Sequence, residues 1–296
     1  MSIDERHELR LPGATVHVRF AAHSDRGAVR TLNEDSHLAR APLFVVADGM
    51  GGHSFGDRAS QAAIGAFADA FPPGLPATAQ RVLDTIASAN DSVLSLTDGD
   101  EFAGTISGTT LAGVALVEVG DDGGYHWMAF NLGDSRIYRW DGRTLSQLSV
   151  DHSAVQELID LGRLSRTEAQ NHPDRNIVTR ALGADAEADP DVWLQPARGH
   201  QRFLICSDGL TKELDDDEIA RILVVHDGEQ LRDESGTPVT IAERLVNAAV
   251  AAGGSDNVTV VMVESEVVGA HAGAPVDDTL DRATMSRQLE ETGPRG

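Results

Sequence analysis

A set of acidic residues beside short apolar runs is the feature of this sequence most suited to chemistry. Its members are Glu34, Asp35, Asp48, Asp208 and Asp256. Asp48 and Asp208 each follow an apolar run and precede a glycine, and Asp256 stands just before another apolar run. Carboxylates at the ends of core strands can converge on one rim of a sheet, where each raises the pKa of its neighbours. A bound divalent cation removes this conflict, and ligands that are all oxygen favour Mg²⁺ or Mn²⁺ over Zn²⁺.

Each Asp-Gly pair also has a plainer interpretation as a turn, which is the better one for any single pair. Three acidic sites, each beside an apolar run, together favour a cation site over three unrelated turns. The glycines fit this interpretation, since Gly49 and Gly209 let the backbone turn tightly and let a carbonyl oxygen approach a cation.

The apolar patterns predict the elements that must position these carboxylates. Alternating or continuous apolar runs predict strands over residues 14–22, 43–47, 109–119, 125–131, 136–140, 202–206 and 257–263. Helical spacing of apolar residues predicts helices over residues 57–71, 77–96, 215–225 and 239–252. Strands and helices come in blocks, which predicts one α+β domain with antiparallel sheets flanked by helices rather than a doubly wound parallel sheet.

The two ends of the chain differ from its middle in composition. Residues 1–13 are predicted to be a flexible leader. Residues 266–296, rich in Gly, Ala, Asp, Thr and Glu, are predicted to be a disordered tail. The folded domain is therefore expected to span residues 14–265, and a hydrophobic content of 41% is enough to give it a substantial core.

The charge balance excludes some classes of function. Lys and Arg number 24 against 47 Asp and Glu, for a net charge of −23, and no basic run is present. This argues against a nucleic-acid partner and against a carboxylate-dependent nuclease or polymerase. The single cysteine, Cys206, permits no internal disulfide, and no apolar stretch approaches the ~20 residues of a membrane span. The first residues lack the apolar core of a signal peptide, so a cytoplasmic protein with no membrane partner is expected.

Seven motifs occur in the order in which one protein family carries them. They are SDRGAVRTLNEDS, VVADGMGGH, SGTT, NLGDSRIYRW, VTRALG, FLICSDGL and GGSDNVTVVMV. Over residues 20–264 the chain therefore resembles the bacterial PP2C-type, or PPM, protein phosphatases. The resemblance implies two packed antiparallel sheets with helices on both outer faces, an α-β-β-α sandwich. It also implies metal-dependent hydrolysis of phosphoserine and phosphothreonine in proteins, with phosphorylated proteins, serine/threonine kinases and kinase substrates as partners.

The resemblance also assigns ligands for two core Mn²⁺ or Mg²⁺ ions. Asp48 would bridge both ions, with Asp208 and Asp256 completing the protein ligands of the first. The Gly49 carbonyl and Glu34, directly or through water, would hold the second. Two cations held in this way can lower the pKa of a water between them, so that the resulting hydroxide attacks phosphorus.

Further residues receive roles from the same resemblance. Asp134, in the motif NLGDSRIYRW, would help to bind a third cation, and Asp35 would lie just outside the ligand layer. Arg30 would grip the substrate phosphate with its planar fork, and Arg26 is the nearby rival for that role. Residues 153–183 would form a mobile flap beside the site.

Two rival interpretations are weaker. A cysteine-dependent phosphatase needs an arginine six residues after its cysteine, where Cys206 is followed by Lys212, and Asp208 nearby would raise the pKa of the thiol. A catalytically weak module with the phosphatase fold, which only binds or regulates partners, would lack metal ligands, yet every ligand position is filled. His152 and His172 are interpreted as turn or surface residues rather than ligands.

Overall fold

Two β-sheets form the centre of the computed structural model, which describes residues 3–51, 55–97, 107–119, 124–228 and 239–269. The first sheet has six strands in the order β1 (Ile3–Leu11), β2 (Ala14–Asp25), β13 (Val258–Val268), β12 (Gly199–Cys206), β9 (Arg136–Trp140) and β10 (Leu145–Gln147). The main path of the second sheet runs β11 (Asp191–Pro196), β8 (Gly124–Leu132), β7 (Leu111–Val119), β4 (Leu43–Gly51) and β3 (Asp35–Arg40). Its two short additions are β6 (Ser107–Thr109), antiparallel to β4, and β5 (Ala77–Thr78), parallel to β7.

Helices cover the outer face of each sheet. Those against the second sheet are α1 (Phe55–Ala70) and α2 (Ala79–Leu94). Those against the first sheet are α5 (Asp208–Glu213), α6 (Asp216–Gly228) and α7 (Ile241–Ala252). Two short helices between β10 and β11 are α3 (Ala154–Asp160) and α4 (Arg166–Ala169). The arrangement is an α-β-β-α sandwich with antiparallel sheets, so the predicted α+β fold is confirmed.

Aromatic side chains from both sheets fill the space between them. The ring of Phe20 on β2 lies 5.0 Å from that of Phe44 on β4, and the ring of Trp127 on β8 lies 5.6 Å from that of Phe203 on β12. All four side chains are buried. Because the apolar faces of the two sheets leave water only by covering each other, this packing fixes how the strand ends of one sheet stand against those of the other.

The prediction of a flexible leader over residues 1–13 is wrong for the stretch 3–11. Residues Ile3–Leu11 form β1, which pairs in antiparallel register with β2. Leu9 and Leu11 are buried in the layer between the sheets, whereas Arg10 faces solvent. Glu5 and His7 interrupt the apolar pattern before Leu9, so the alternation is too short to predict a strand from the sequence.

The C-terminal boundary of the domain lies later than predicted. β13 continues to Val268, and Val267 pairs with Gly199 on β12 and with Val16 on β2. The folded domain therefore includes residues 266–268 instead of ending at residue 265. Residues 270–296, the remainder of the predicted tail, lie outside the described residues.

The predicted helices and strands mostly occur with shifted ends, because local hydrogen bonds decide where an element begins. At the start of α7, the Thr240 hydroxyl accepts a hydrogen bond from the Glu243 N–H, and the Glu243 carboxylate accepts one from the Thr240 N–H. This capping box starts the helix at Ile241 rather than at residue 239. No described helix combines the length and apolar character needed to cross a membrane.

Replacing Leu9 by alanine tests whether β1 belongs to the folded domain. Leu9 is buried, so Leu9→Ala should reduce the free energy of unfolding by about 2–5 kcal/mol. Arg10→Ala, on the solvent face of the same strand, is the control and should leave the urea midpoint nearly unchanged. Equal urea unfolding curves for the two variants would contradict the packing of β1 on the core.

Candidate active site

Ends of strands from both sheets meet at one rim of the sandwich and carry the predicted carboxylates there. Asp48, near the end of β4, is the cross-strand partner of Asp35, the first residue of β3. Asp208 lies just after β12, and Asp256 lies just before the neighbouring antiparallel strand β13. Asp134 occupies the turn from β8 to β9, where the chain passes from the second sheet to the first.

These carboxylates are close enough to oppose one another's ionisation. Surrounding protein raises the pKa of Asp48 well above its ordinary value, and the charges of Asp35, Asp208 and Asp134 raise it further. Burial raises the pKa of Asp134 to about 7, with Asp208 as the next contributor. Except for Asp35, all of these residues keep part of their surface accessible. A small cation from solvent can therefore reach the cluster, and its charge would reverse these shifts.

Asp35 is the buried member of the cluster and connects the two sheets. The hydroxyls of Ser207 and Thr259 both donate to its Oδ2 atom, each at 2.7 Å. Burial raises the pKa of Asp35 to about 7, and these two hydrogen bonds act in the opposite direction. Asp35 belongs to β3 in the second sheet, whereas Thr259 lies on β13 of the first sheet and Ser207 directly follows β12 of that sheet. The two hydrogen bonds therefore join the two sheets at the rim.

Glu34 and Gly49 are held together by backbone contacts. The Gly49 N–H donates to the Glu34 carbonyl at 3.2 Å, and the Ser60 hydroxyl of α1 donates to the same oxygen at 2.6 Å. Burial raises the pKa of the Glu34 carboxyl. The structure therefore brings together two predicted ligand groups, one on the loop before β3 and the other on β4.

Asn257 fixes the loop between β2 and β3 that carries Glu34. Its Oδ1 atom accepts the Glu34 N–H at 2.8 Å, and its Nδ2 atom donates to the carbonyls of Arg26 and Leu32 at 2.9 Å each. Sequence reasoning gave Asn257 no role of its own. Its position beside Asp256 in an Asp-Asn pair before a core strand was the available signal, but its partners are more than 220 residues away in the chain.

His152 holds the turn that carries Asp134, which corrects its interpretation as a turn or surface residue. The side chain is buried, and its Nδ1 atom accepts the Gly133 N–H at 3.1 Å. The Gly133 carbonyl in turn accepts the His152 N–H at 2.9 Å. With Nδ1 as an acceptor, the proton of the neutral ring lies on Nε2, 3.4 Å from the Asp191 carboxylate. His152 thus positions the Gly133–Asp134 turn.

Two cationic side chains cover the carboxylates on the first-sheet side of the rim. Lys212 Nζ lies 2.5 Å from Asp208 Oδ2 and 2.7 Å from Asp256 Oδ2. Arg30 contacts both oxygens of Asp256, with Nε 2.8 Å from Oδ1 and Nη2 2.9 Å from Oδ2. Burial works to raise the pKa of Asp256, but its hydrogen bonds and the charges of Lys212 and Arg30 hold it below the ordinary value. Arg26, the rival of Arg30, points its guanidinium at the Thr31 carbonyl instead.

The side chains at this rim fit divalent cations by the chemistry of their donors. Asp208 Oδ1 and Asp35 Oδ1 are buried with no hydrogen-bond partner among the described residues, and such orphaned anionic oxygens call for a cation. All the candidate donors are oxygens, as Mg²⁺ and Mn²⁺ prefer. Within the described ranges, no group of three or more aspartate, glutamate, histidine or cysteine side chains is arranged so that it could hold a metal ion as it stands. Lys212 lies between two of the candidate ligands instead.

The residues proposed for other chemistry do not join this cluster. Cys206 is buried at the end of β12, where burial raises the pKa of its thiol to about 12. A thiol that remains protonated at neutral pH is a poor nucleophile, which disfavours a cysteine-dependent reaction. Residues 153–183, the predicted flap, contain α3 and α4. An isolated bridge joins Ser153 to Val178 within this segment, and another joins Leu182 near its end to Thr109 on β6.

Comparison with known sequences identifies relatives for most of the chain. A sequence model for a family described as Protein phosphatase 2C matches residues 21–247. The serine/threonine protein phosphatase PstP of Mycobacterium tuberculosis (strain ATCC 25618 / H37Rv) is 37% identical over 252 residues, which are 84% of this chain and 45% of that protein. This chain thus spans about half the length of PstP. The serine/threonine phosphatase stp of Listeria monocytogenes serotype 4b (strain F2365) is 31% identical over 262 residues, covering 85% of this chain and 97% of that protein.

Comparison with solved structures again identifies the phosphatase PstP. The catalytic domain of the serine/threonine protein phosphatase PstP, crystallised in complex with two manganese ions, superposes with a TM-score of 0.68. The two chains are 34% identical, and the match covers 86% of this chain and 99% of the PstP domain. At this identity the likeness extends beyond the fold, and that relative holds two Mn²⁺ ions.

Replacing Gly49 by alanine tests the close packing at the rim. A Cβ atom at Gly49 would lie 2.0 Å from the Gly56 carbonyl oxygen and 2.6 Å from that of Glu34, and backbone cannot give way as a side chain does. Gly49→Ala should therefore reduce the free energy of unfolding by about 3 kcal/mol or more. Gly65→Ala, in the interior of α1 with open space around its Cβ position, should raise it by about 0.5–1 kcal/mol. Urea unfolding measures both, and a stable Gly49→Ala protein would contradict this packing.

Proposed function

Since this chain belongs to the protein phosphatase 2C family, we propose that it hydrolyses phosphoserine and phosphothreonine in proteins and so opposes serine/threonine kinases. The observation that carries the proposal is the set of carboxylates from both sheets at one accessible rim, with buried oxygens that have no hydrogen-bond partner in the described part of the chain. Its substrates would be phosphorylated proteins. We place it in the cytoplasm, which agrees with a single buried cysteine that forms no disulfide.

The rim offers ligands for two core cations, Mn²⁺ or Mg²⁺. We propose that Asp48 contacts both, that Asp208 and Asp256 hold the first, and that the Gly49 carbonyl and Glu34 hold the second. Bound there, the cations would neutralise phosphate charge and activate water for hydrolysis. Asp35 would support the ligands without being one itself, since its hydrogen bonds with Ser207 and Thr259 keep the strand ends in place.

Arg30 is our candidate for binding the substrate phosphate. Its guanidinium already contacts two oxygens of one carboxylate, and a phosphate offers a similar pair of oxygens. The side chain is 49% exposed, so a substrate can approach it from solvent. If the Arg30 guanidinium left Asp256 and bound a substrate phosphate, it would orient the phosphoryl group over the rim and place a positive charge beside it.

Asp134 is our candidate ligand for a third cation. Its charge raises the pKa of Asp48, and burial together with the charge of Asp208 raises its own pKa to about 7, as expected for a carboxyl in need of a cationic partner. His152 and Asn131 fix its turn, because both donate to the Gly133 carbonyl. A carboxylate held this firmly can present its charge at a constant position during turnover.

A module with the phosphatase fold that binds partners without hydrolysis is the alternative. The pairing of Lys212 with Asp208 and Asp256 favours it, because these carboxylates already have a cation from the chain itself. Turnover of phosphopeptides by the purified protein excludes this alternative.

Activity should depend on divalent cations. Hydrolysis of phosphoserine or phosphothreonine peptides should occur with Mn²⁺ or Mg²⁺ and fall by roughly a hundredfold or more in EDTA, because the carboxylates alone would repel a phosphate dianion. Release of inorganic phosphate measures the rate, and excess Mn²⁺ should restore it. Undiminished hydrolysis by the metal-free protein would contradict the proposed function.

The role of Asp134 can be separated from that of an ordinary turn residue. Asp134→Asn should lower kcat by roughly tenfold or more and change KM little, as expected for a charged contact made mainly in the transition state. Asp141→Asn is the matched control, since Asp141 is an exposed turn aspartate that accepts the N–H groups of Arg143 and Thr144. Steady-state kinetics at saturating Mn²⁺ compares them. A wild-type kcat for Asp134→Asn would show that Asp134 serves only as a turn residue.

A further inference from the structure

The only lysine of this chain lies at the centre of the proposed cation site. Of the 24 Lys and Arg residues in 296, every one except Lys212 is an arginine. Lys212 is four residues after Asp208 on α5, which places its ammonium group over the first turn of that helix. A chain that uses arginine at all its other cationic positions thus has a lysine where two proposed metal ligands meet.

The ammonium group bridges these two ligands. Lys212 Nζ is 2.5 Å from Asp208 Oδ2 and 2.7 Å from Asp256 Oδ2. The side chains of Asp208 and Asp256 are only 16% and 15% exposed, so solvent screens these contacts less than it would on an open surface. Two carboxylates otherwise in mutual repulsion are held together by one positive charge.

An ammonium group resembles a metal ion more closely than a guanidinium group does. It is a compact point charge with three donors, whereas a guanidinium is a wide planar fork. The difference is visible at Asp256, where Arg30 lies along both oxygens of the one carboxylate while Lys212 joins that carboxylate to a second. Of these two side chains, only that of Lys212 lies between Asp208 and Asp256.

We propose that Lys212 is a built-in cation that competes with the first divalent cation for Asp208 and Asp256, and so sets the metal concentration at which the site fills. This inference rests on the proposed metal-dependent function. A divalent cation held by the Oδ2 atoms of both carboxylates would displace the ammonium group, because one oxygen cannot donate fully to both cations. The Lys212 side chain then keeps its displaced ammonium group near the rim, where this group can pair with the carboxylates again when the metal leaves.

Displacement also links metal binding to the phosphate site. Asp256 Oδ2 accepts hydrogen bonds from both Lys212 and Arg30. A divalent cation on Asp256 repels both side chains and frees the Arg30 fork. The positive charge available to a phosphate at the rim therefore rises when the metal binds.

Calorimetric titration of Mn²⁺ into the full-length protein tests the competition. Lys212→Met removes the charge and keeps the length of the side chain, so it should bind Mn²⁺ roughly tenfold or more tightly than wild type. Arg202→Met is the matched control, because it makes the same change in net charge by breaking the ion pairs of Arg202, in the middle of β12, with Asp227 and Glu264. Its Mn²⁺ affinity should equal that of wild type.

The outcomes separate this inference from the proposed function. Wild-type protein that binds no Mn²⁺ would defeat the metal-dependent function itself. Wild-type protein that binds Mn²⁺ with the same affinity as Lys212→Met, or more tightly, would overturn the role of Lys212 alone.

Chemical labelling of the wild-type protein tests whether Mn²⁺ displaces the Lys212 ammonium group. This test needs no variant, so it does not depend on whether a variant folds. Because the chain has one lysine, acylation of its ε-amine by an N-hydroxysuccinimide ester, located by peptide mass spectrometry, reports on Lys212 alone. The rate should rise several-fold when EDTA is replaced by saturating Mn²⁺, with the N-terminal amine as internal control. An unchanged rate in protein that calorimetry shows to be loaded with Mn²⁺ would mean that the ammonium group stays in place, and the proposal would fail.

Discussion

Mutual repulsion among carboxylates at one rim is the constraint on which the rest of this structure depends. The charges of Asp35, Asp134 and Asp208 raise the pKa of Asp48, and that of Asp208 also raises the pKa values of Asp35 and Asp134. A folded protein tolerates such a group only where hydrogen bonds and cations offset the loss of hydration. The hydroxyls on Asp35 and the cations on Asp208 and Asp256 provide this compensation in the structure.

Close backbone packing keeps the carboxylates together in spite of their repulsion. A Cβ atom at Gly209 would lie 1.9 Å from the Asn257 carbonyl oxygen, so the start of α5 rests directly on the chain that enters β13. This contact brings Asp208 and Asp256 to the same place. The aromatic layer between the sheets gives the rim a rigid base, and the free energy of its burial offsets the cost of gathering the charges.

Positioning residues act through backbone groups more than through the carboxylates themselves. Asn257 binds three backbone groups of the loop between β2 and β3, and His152 binds both the N–H and the carbonyl of Gly133. Each fixes a loop that carries acidic or cationic side chains of the site. These hydrogen bonds are made by protein groups alone, so they reduce the entropy that cation binding must remove.

The sequence by itself determined the acidic residues, their places at strand ends, the α+β class and the family, because strand periodicity and motifs are local properties of the chain. Only the tertiary structure decided which of these groups meet. Arg30 and Asp256 are 226 positions apart, and nothing in their local patterns predicts a hydrogen bond of 2.9 Å between them. The strand Ile3–Leu11 was missed for the same reason, since two buried leucines make a strand only when β2 is present to pair with them. The place of Lys212 between two carboxylates likewise follows from the packing of α5 against β13, because distance across a fold depends on how the sheets pack and not on order along the chain.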